Sequence, residues 1–313
     1  VVTTPIPLIL DCDPGHDDVF AIWLAAGNPA LELRAITTVA GNGTLVHTTL
    51  NARIACTVAG ISGVPIAAGA DRPLVKPLAT AEWIHGENGL GGPELPEPTV
   101  PLDPRGAVEL MADTLLASAE PVAIVATGPL TNVATLIRDR PELLGRIREV
   151  VWMGGTTERG NVTPYAEFNA WVDPDAAAIV LASGIRFTMV GLTVTHQAMV
   201  TDAVRDAVAG IGNRTGAFGA ELLDFFRSMN QEALGLPDGP LHDPVAVAVL
   251  ADPEAVGSVL TRLDIELAGT ETLGVTSVDL VGILEREPNA HVALELDAPR
   301  FWRLITDALA TLA

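Results

Sequence analysis

The chain is expected to form an α/β fold, a mostly parallel open sheet flanked by helices, as a single domain over residues 1–313. Three observations predict it. Short runs rich in Val and Ile alternate with longer Ala-rich helical stretches. The strand-like runs stop at polar or Gly-containing turns. No linker, internal repeat or low-complexity tract divides the chain.

The elements follow in order. Ile6-Pro7-Leu8-Ile9-Leu10 is an apolar run that reads as a strand, and Pro14-Gly15 turns the chain into a helix over residues 17–27. Residues 33–39 form a strand stopping at Gly41-Asn42-Gly43, 44–59 a helix and 65–68 a short strand. Helix 106–119 precedes strand 122–126, which stops at Thr127-Gly128-Pro129 before helix 131–139. Strand 148–153 stops at Gly154-Gly155, and helix 174–183, strand 187–192 and helices 197–209, 214–234 and 243–251 follow. The tail alternates like a strand from Thr261 to Leu267 and carries an amphipathic helix around Phe301 to Leu312. Lys76 to Arg105, rich in Gly and Pro, reads as a long loop or flap (76–105), and Thr156 to Pro164 as a second break. Asp13, Asn42, Thr127 and Met153 each stand where a strand hands over to a loop or helix. In a parallel sheet those positions share the edge where ligands bind.

With 49% hydrophobic residues, the chain can bury a large core. The net charge of -21 argues against nucleic acid as a partner and is compatible with a small substrate. Cys12 and Cys56 are expected as reduced thiols, which points to the cytoplasm. Apolar runs such as Val245 to Ala251 are too short to cross a bilayer, so no membrane partner is expected. Neither a phosphate-binding Walker loop nor a Gly-x-Gly-x-x-Gly turn is present, which removes the usual ATP and NAD signatures.

The densest chemistry lies at Asp11-Cys12-Asp13-Pro14-Gly15-His16-Asp17-Asp18, where four carboxylates follow the first strand directly. Like charges so close need shared protons or a cation, and an oxygen-only set suits calcium or magnesium better than zinc. Asp17 and Asp18 open the next helix, whose terminal amides favour anions. Three further segments combine polar side chains with turns. In Asn161 to Asn169, the groups Asn161, Glu167 and Asn169 can serve sugar hydroxyls or simply cap a loop. In Leu241-His242-Asp243-Pro244, Asp243 can cap a helix or reach a metal, and His242 can donate a proton or be structural. In Trp83 to Gly91, His85 is either a ligand contact or a surface residue.

These segments together resemble the nucleoside N-ribohydrolases, in particular the inosine-uridine-preferring type. The resemblance runs through the aspartate motif, Gly41-Asn42, Thr127 to Asn132, Val151 to Gly155, Glu167-Phe168-Asn169 and His242-Asp243-Pro244, in order across nearly the whole chain. It implies the nucleoside hydrolase fold, with a Rossmann-like open sheet, and calcium-dependent hydrolysis of the N-glycosidic bond of a ribonucleoside. It further implies calcium held by Asp13, Asp18, Asp243 and the Thr127 carbonyl, with Asp13 as general base for the attacking water. Asp17, Asn42, Asn161, Glu167, Asn169 and Asp243 would bind ribose, with Met153 against the sugar. His242 would activate the leaving base and His85 would stand on the base side. Asp11 is expected to orient the motif through backbone amides. An acidic pocket of this kind suits the positive charge that builds on the sugar as the bond breaks. The resemblance also implies a homodimer or homotetramer in the cytoplasm.

One departure concerns aromatics. Several relatives enclose the base with tyrosines ahead of the His-Asp-Pro segment, whereas Tyr165 is the only tyrosine here. Phe225 or Phe226 can take that place, at least one of them being ordinary core, and Asn230 or Gln231 can read a base edge. Trp83 is another candidate aromatic of the flap. Two other readings remain: a phosphatase of the haloacid-dehalogenase type, with Asp11 as nucleophile, and a calcium-dependent nucleoside or sugar sensor. An EF-hand starting at Asp11 is excluded, because His16 falls where its glycine belongs.

Overall fold

The structure is a computed structural model that describes residues 4–81, 84, 86, 88–235 and 238–313, the side chains of residues 233 and 234 excepted. Trp83 and His85 lie outside the described residues.

The first half alternates strand and helix: β1 (Ile6–Cys12), α1 (His16–Gly27), β2 (Leu31–Thr38), α2 (Leu45–Ala59), β3 (Ile66–Ala68), α3 (Ala107–Ala117), β4 (Val122–Ala126), α4 (Thr131–Asp139) and β5 (Ile147–Met153). Then come α5 (Phe168–Val172), α6 (Pro174–Ala182), β6 (Phe187–Val190), α7 (Leu192–Thr195), α8 (Asp202–Ala209), α9 (Arg214–Leu234) and α10 (Asp243–Ala251). The chain closes with β7 (Val256–Ile265), β8 (Thr276–Asp279), β9 (Ala290–Leu296) and α11 (Ala298–Ala310). Among the described residues the sheet runs β3-β2-β1-β4-β5-β6-β9-β7-β8. It is parallel from β3 to β9, and β7 is antiparallel to both of its neighbours.

Apart from Asp11, β1 is apolar because helices cover both faces of the sheet. Its side chains alternate between them: Leu8, Leu10 and Cys12 join a core with α1, α2, α10 and α11, and Ile9 joins the opposite one with α3, α4 and α6. α10 is buried nearly all round, against α1, β4 and β5, which accounts for its unbroken run of Val and Ala. The strand order reverses at β1, whose neighbours are β2 and β4. A crevice opens at such a switch point beyond the C-terminal strand ends. Asp13, Asn42, Thr127 and Met153 all lie at that edge, as the pattern of strand stops predicted.

Several boundaries differ from expectation. The helix expected over 197–209 begins only at Asp202, because the Thr201 hydroxyl caps it and Met199 instead bridges Pro240. The strand expected to reach 192 stops at Val190, where Gly191 starts α7. The tail holds more sheet than alternation indicated: β7 starts at Val256, and β8 and β9 join it. Phe168 and Asn169, read as the end of the 161–169 ligand segment, open α5.

Asp173 ties this framework together. Its buried carboxylate accepts from Ala176 N (3.1 Å) as the cap of α6, from Thr131 Oγ1 of α4 (2.6 Å) and from Leu74 N of the long loop (2.9 Å). Asp173→Ala leaves these donors unsatisfied and is expected to cost about 2–4 kcal/mol. A lowered urea midpoint with unchanged slope would bear this out, and an unchanged midpoint would refute it.

Candidate active site

The aspartate motif is built by the end of β1 and the first turn of α1. Asp11, still within β1, accepts hydrogen bonds from Thr37 Oγ1 (2.7 Å) and Asn132 Nδ2 (2.8 Å). Its partners are thus side chains of β2 and α4, not the expected backbone amides. Burial pushes its carboxyl up to about 7. Asp11 does not line the cavity, which removes it as the nucleophile of a phosphatase.

Asp18 is held on every side: Gly15 N donates to it at 2.9 Å, Thr127 Oγ1 at 2.7 Å, and the amides of Asp13 and Asn42 at 3.3 Å. Asp13 accepts from Asn42 N at 2.6 Å through Oδ2, while Oδ1 has no hydrogen-bond partner. Glycines make room for this carboxylate. A Cβ at Gly41 would stand 2.1 Å from Asp13 Oδ2, and one at Gly128 would stand 2.5 Å from Asp13 Oδ1. Gly41-Asn42 and Thr127-Gly128 therefore wrap the motif at a distance that tolerates no larger residue.

The carboxylates gather around two helix starts. Asp17 and Asp18 lie in the first turn of α1 and Asp243 opens α10, so the positive ends of both helices face the same acidic centre. One oxygen from each of Asp17, Asp18 and Asp243 lies within 4.8 Å of the others. Asp17, read from sequence as a sugar contact, thus stands in the tight cluster, and Asp13, read as a metal ligand, lies outside that mutual set. Burial together with neighbouring charges pushes Asp17 up to about 7 and Asp13 and Asp243 well above the usual carboxylate range, while burial alone pushes Asp18 upward against the hydrogen bonds it accepts. Asp13 Oδ1, Asp17 Oδ1 and Asp243 Oδ2 are buried without partners among the described residues, so the centre presents unsatisfied oxygens. A hard divalent cation fits this all-oxygen donor set, and calcium suits its size and flexibility.

A cavity, partly open to solvent, lies over the cluster. Asp17, Asn42, Thr127, Met153, Asn161, Glu167, Asn169, His242 and Asp243 line it, whereas Asp13 and Asp18 are fully buried and do not. The capping and lining readings of the 161–169 segment hold together. Glu167 caps α5, accepting from Asn169 N (2.9 Å), Ala170 N (3.0 Å) and, across the site, Gly155 N (2.8 Å). Burial still pushes it up to about 7. Asn161 Oδ1 accepts from Phe168 N at 2.9 Å, and Asn169 Nδ2 donates to the carbonyls of Thr127 (2.8 Å) and Met153 (3.0 Å). His242 is half-buried, shares a 2.7 Å hydrogen bond through Nδ1 with Thr195 Oγ1, and is held down to about 3 by desolvation, reinforced by His196. It is a neutral imidazole at physiological pH.

The far end resolves the choices left on α9. Phe226 and Asn230 line the cavity with Ile84; Phe225 and Gln231 do not. Phe225 instead packs under the Gly-rich loop, where a Cβ at Gly91 would fall 2.3 Å from its ring. His16 stacks on both phenylalanines at 5.2 and 5.6 Å and bonds the Gly91 carbonyl at 2.8 Å. His16, Asn51 and Thr195 went unassigned in the sequence. Asn51 Nδ2 joins the motif to the loop through Pro14 O and Asn88 O, both at 2.9 Å. Its one signal is a buried amide on a helix that otherwise buries small or apolar residues and threonines.

The raised carboxyls couple calcium to protons. Asp17 has a folded value of about 7 against an unfolded one of about 3.9. Its contribution to stability is therefore present below pH ~4 and lost as pH rises toward the folded value. Calcium displaces those protons, so its binding should release protons near pH 6 and tighten as pH rises toward about 7. The buried histidines shift the other way but are common to both states and drop out of the comparison. Calorimetry of calcium binding in two buffers of different ionisation enthalpy measures the release; pH-independent affinity with no proton release would contradict it.

Comparison with known proteins places the chain in one family. Residues 8–303 match the family model of inosine-uridine preferring nucleoside hydrolases. The pyrimidine-specific ribonucleoside hydrolase RihA of Escherichia coli (strain K12) is 46% identical over 305 residues, 97% of this chain and 98% of that protein. A purine-preferring ribonucleoside hydrolase from Gardnerella vaginalis superposes with a TM-score of 0.90 at 32% identity, over 97% of this chain and 98% of that one. The inosine-uridine preferring nucleoside hydrolase of Bacillus anthracis shares the fold, with a TM-score of 0.79 at 21% identity over 98% and 99% of the two chains. The chain belongs to the inosine-uridine preferring nucleoside hydrolase family and is a nucleoside N-ribohydrolase.

Proposed function

We propose that this chain is a calcium-dependent hydrolase that splits pyrimidine ribonucleosides into free base and ribose. The observation that carries the reading is the buried cluster of Asp17, Asp18 and Asp243 at the floor of a cavity walled by Asn42, Asn161, Glu167 and Asn169. The pyrimidine preference is supported by the 46% identity to relatives named pyrimidine-specific, against 32% for a purine-preferring one.

In this reading Asp13, Asp18, Asp243 and the Thr127 carbonyl hold calcium, and Asp17, Asn42, Asn161, Glu167 and Asn169 take the ribose hydroxyls, with Met153 against the ring. Bound calcium would supply Lewis acidity that makes a water nucleophilic near neutral pH. Asp13 is placed to take a proton from the attacking water through Oδ1, the oxygen that has no partner among the described residues. The surrounding carboxylates favour the positive charge that develops on the sugar. His242, neutral and with a calcium site next to it, has no imidazolium proton to give. Its contribution is a hydrogen bond to the departing base. Phe226, Asn230 and Ile84 form the wall against which the base lies; His85, outside the described residues, is assigned a contact with the base in the same reading.

The whole chain, 1–313, acts as one hydrolase domain, with the loop 76–105 as a flap that meets the cavity through Ala81 and Ile84. Two buried free thiols support a cytoplasmic setting, and among the described residues no helix is long and apolar enough to cross a membrane. A homodimer or homotetramer is supported by exposed apolar residues on β7 and the loop after β8, among them Leu260, Val281 and Ile283.

Release of base and reducing sugar from uridine, cytidine, inosine and adenosine tests this. Uridine and cytidine should turn over fastest, activity should vanish on chelation and return with calcium, and Asp13→Ala should lower kcat by about 10²–10⁴. A folded, calcium-loaded protein that hydrolyses none of them would overturn the reading, and faster turnover of inosine would overturn the base preference.

A further inference from the structure

We infer that Thr195 is a positioning residue for the reaction: its hydroxyl donates to Nδ1 of His242 and so fixes the imidazole as the tautomer that carries its proton on Nε2, facing the base. The inference rests on the proposed nucleoside hydrolysis. Thr195 closes α7, the short helix after β6, and is fully buried. Its Oγ1 stands 2.7 Å from His242 Nδ1, the one hydrogen bond the hydroxyl makes among the described residues.

That isolation decides which atom donates. A hydroxyl has one proton and must place it somewhere, and a buried donor without an acceptor is more costly than an unused lone pair. If Nδ1 carried the proton and donated to Oγ1, the Thr195 hydroxyl proton would be left with no acceptor. With Thr195 donating, both its proton and the Nδ1 lone pair are satisfied, and the ring proton sits on Nε2. The ring lines the cavity, and Nε2 has no partner among the described residues, so its N–H remains for a ligand. The two ring nitrogens are not equivalent, and the bond made by one sets the role of the other.

The consequence is chemical. When the glycosidic bond breaks, its electron pair leaves with the base, and in a pyrimidine the negative charge spreads onto the carbonyl oxygen beside the cleaved nitrogen. An Nε2–H donor stabilises that charge, whereas the other tautomer would present a lone pair and repel it. No proton leaves His242; the departing base takes one from water.

The test uses the calcium-loaded full chain. Nitrogen-15 spectra of the His242 ring, assigned with a His242→Gln variant, should show the proton on Nε2 in the wild type and in Thr195→Ser. In Thr195→Val the tautomers should mix. On uridine, Thr195→Val should lower kcat about tenfold or more with KM within about twofold, while Thr195→Ser stays within about threefold of wild type. A wild-type ring protonated on Nδ1, or a Thr195→Val variant with wild-type kcat and tautomer, would overturn the inference. If Thr195→Val fails to fold, the wild-type spectrum still decides it. A wild type that holds the Nε2–H tautomer but hydrolyses no nucleoside would support the assignment and overturn the hydrolase reading instead.

Discussion

Mutual repulsion among carboxylates buried at the tip of β1 is the constraint from which the rest of the structure follows. Asp13, Asp17, Asp18 and Asp243 are all shielded from water, and ionised groups so placed are tolerated only with protons or a cation between them. The protein meets part of the cost itself. Asp18 accepts four hydrogen bonds, two of them long at 3.3 Å, and the starts of α1 and α10 direct their amide dipoles at the centre. The remainder falls on oxygens with no partner, which is what a cation site looks like when its ligands come from the protein alone.

The fold converts that local problem into a binding site. Reversal of strand order at β1 leaves a crevice at its C-terminal end, and the loops after β2 and β4 and the end of β5 bring Asn42, Thr127 and Met153 to it. Glu167 then serves two purposes with one carboxylate, capping α5 and walling the cavity. Its three backbone donors fix the acid in place with no flexible partner. A site that must hold a sugar rigidly while charge builds on it gains from such fixed dipoles, since they need no reorganisation during the reaction.

The acidic end was legible in the sequence because its residues are consecutive or stand at strand stops, and both patterns are local. The base end was not. Phe225 and Phe226 are neighbours in the chain and indistinguishable in composition, but a helix turns them about 100° apart. Which one meets the cavity depends on how α9 packs against the Gly-rich loop. Asp11 was misread for a related reason: Thr37 and Asn132 reach it from two other elements of the sheet. The neutrality of His242 comes from burial, which a single sequence does not display, and its partner Thr195 lies 47 positions away. β8 and β9 escaped notice because their pairing with β7 is made across a long turn-rich stretch.

The central claim is that the carboxylate cluster exists to hold calcium. Anomalous diffraction from crystals grown with calcium tests it most directly. The account predicts a fully occupied ion about 2.3–2.6 Å from oxygens of Asp18, Asp243 and Asp13 and from the Thr127 carbonyl, with open positions toward the cavity. An empty centre at millimolar calcium, with carboxylates paired through shared protons, would contradict it.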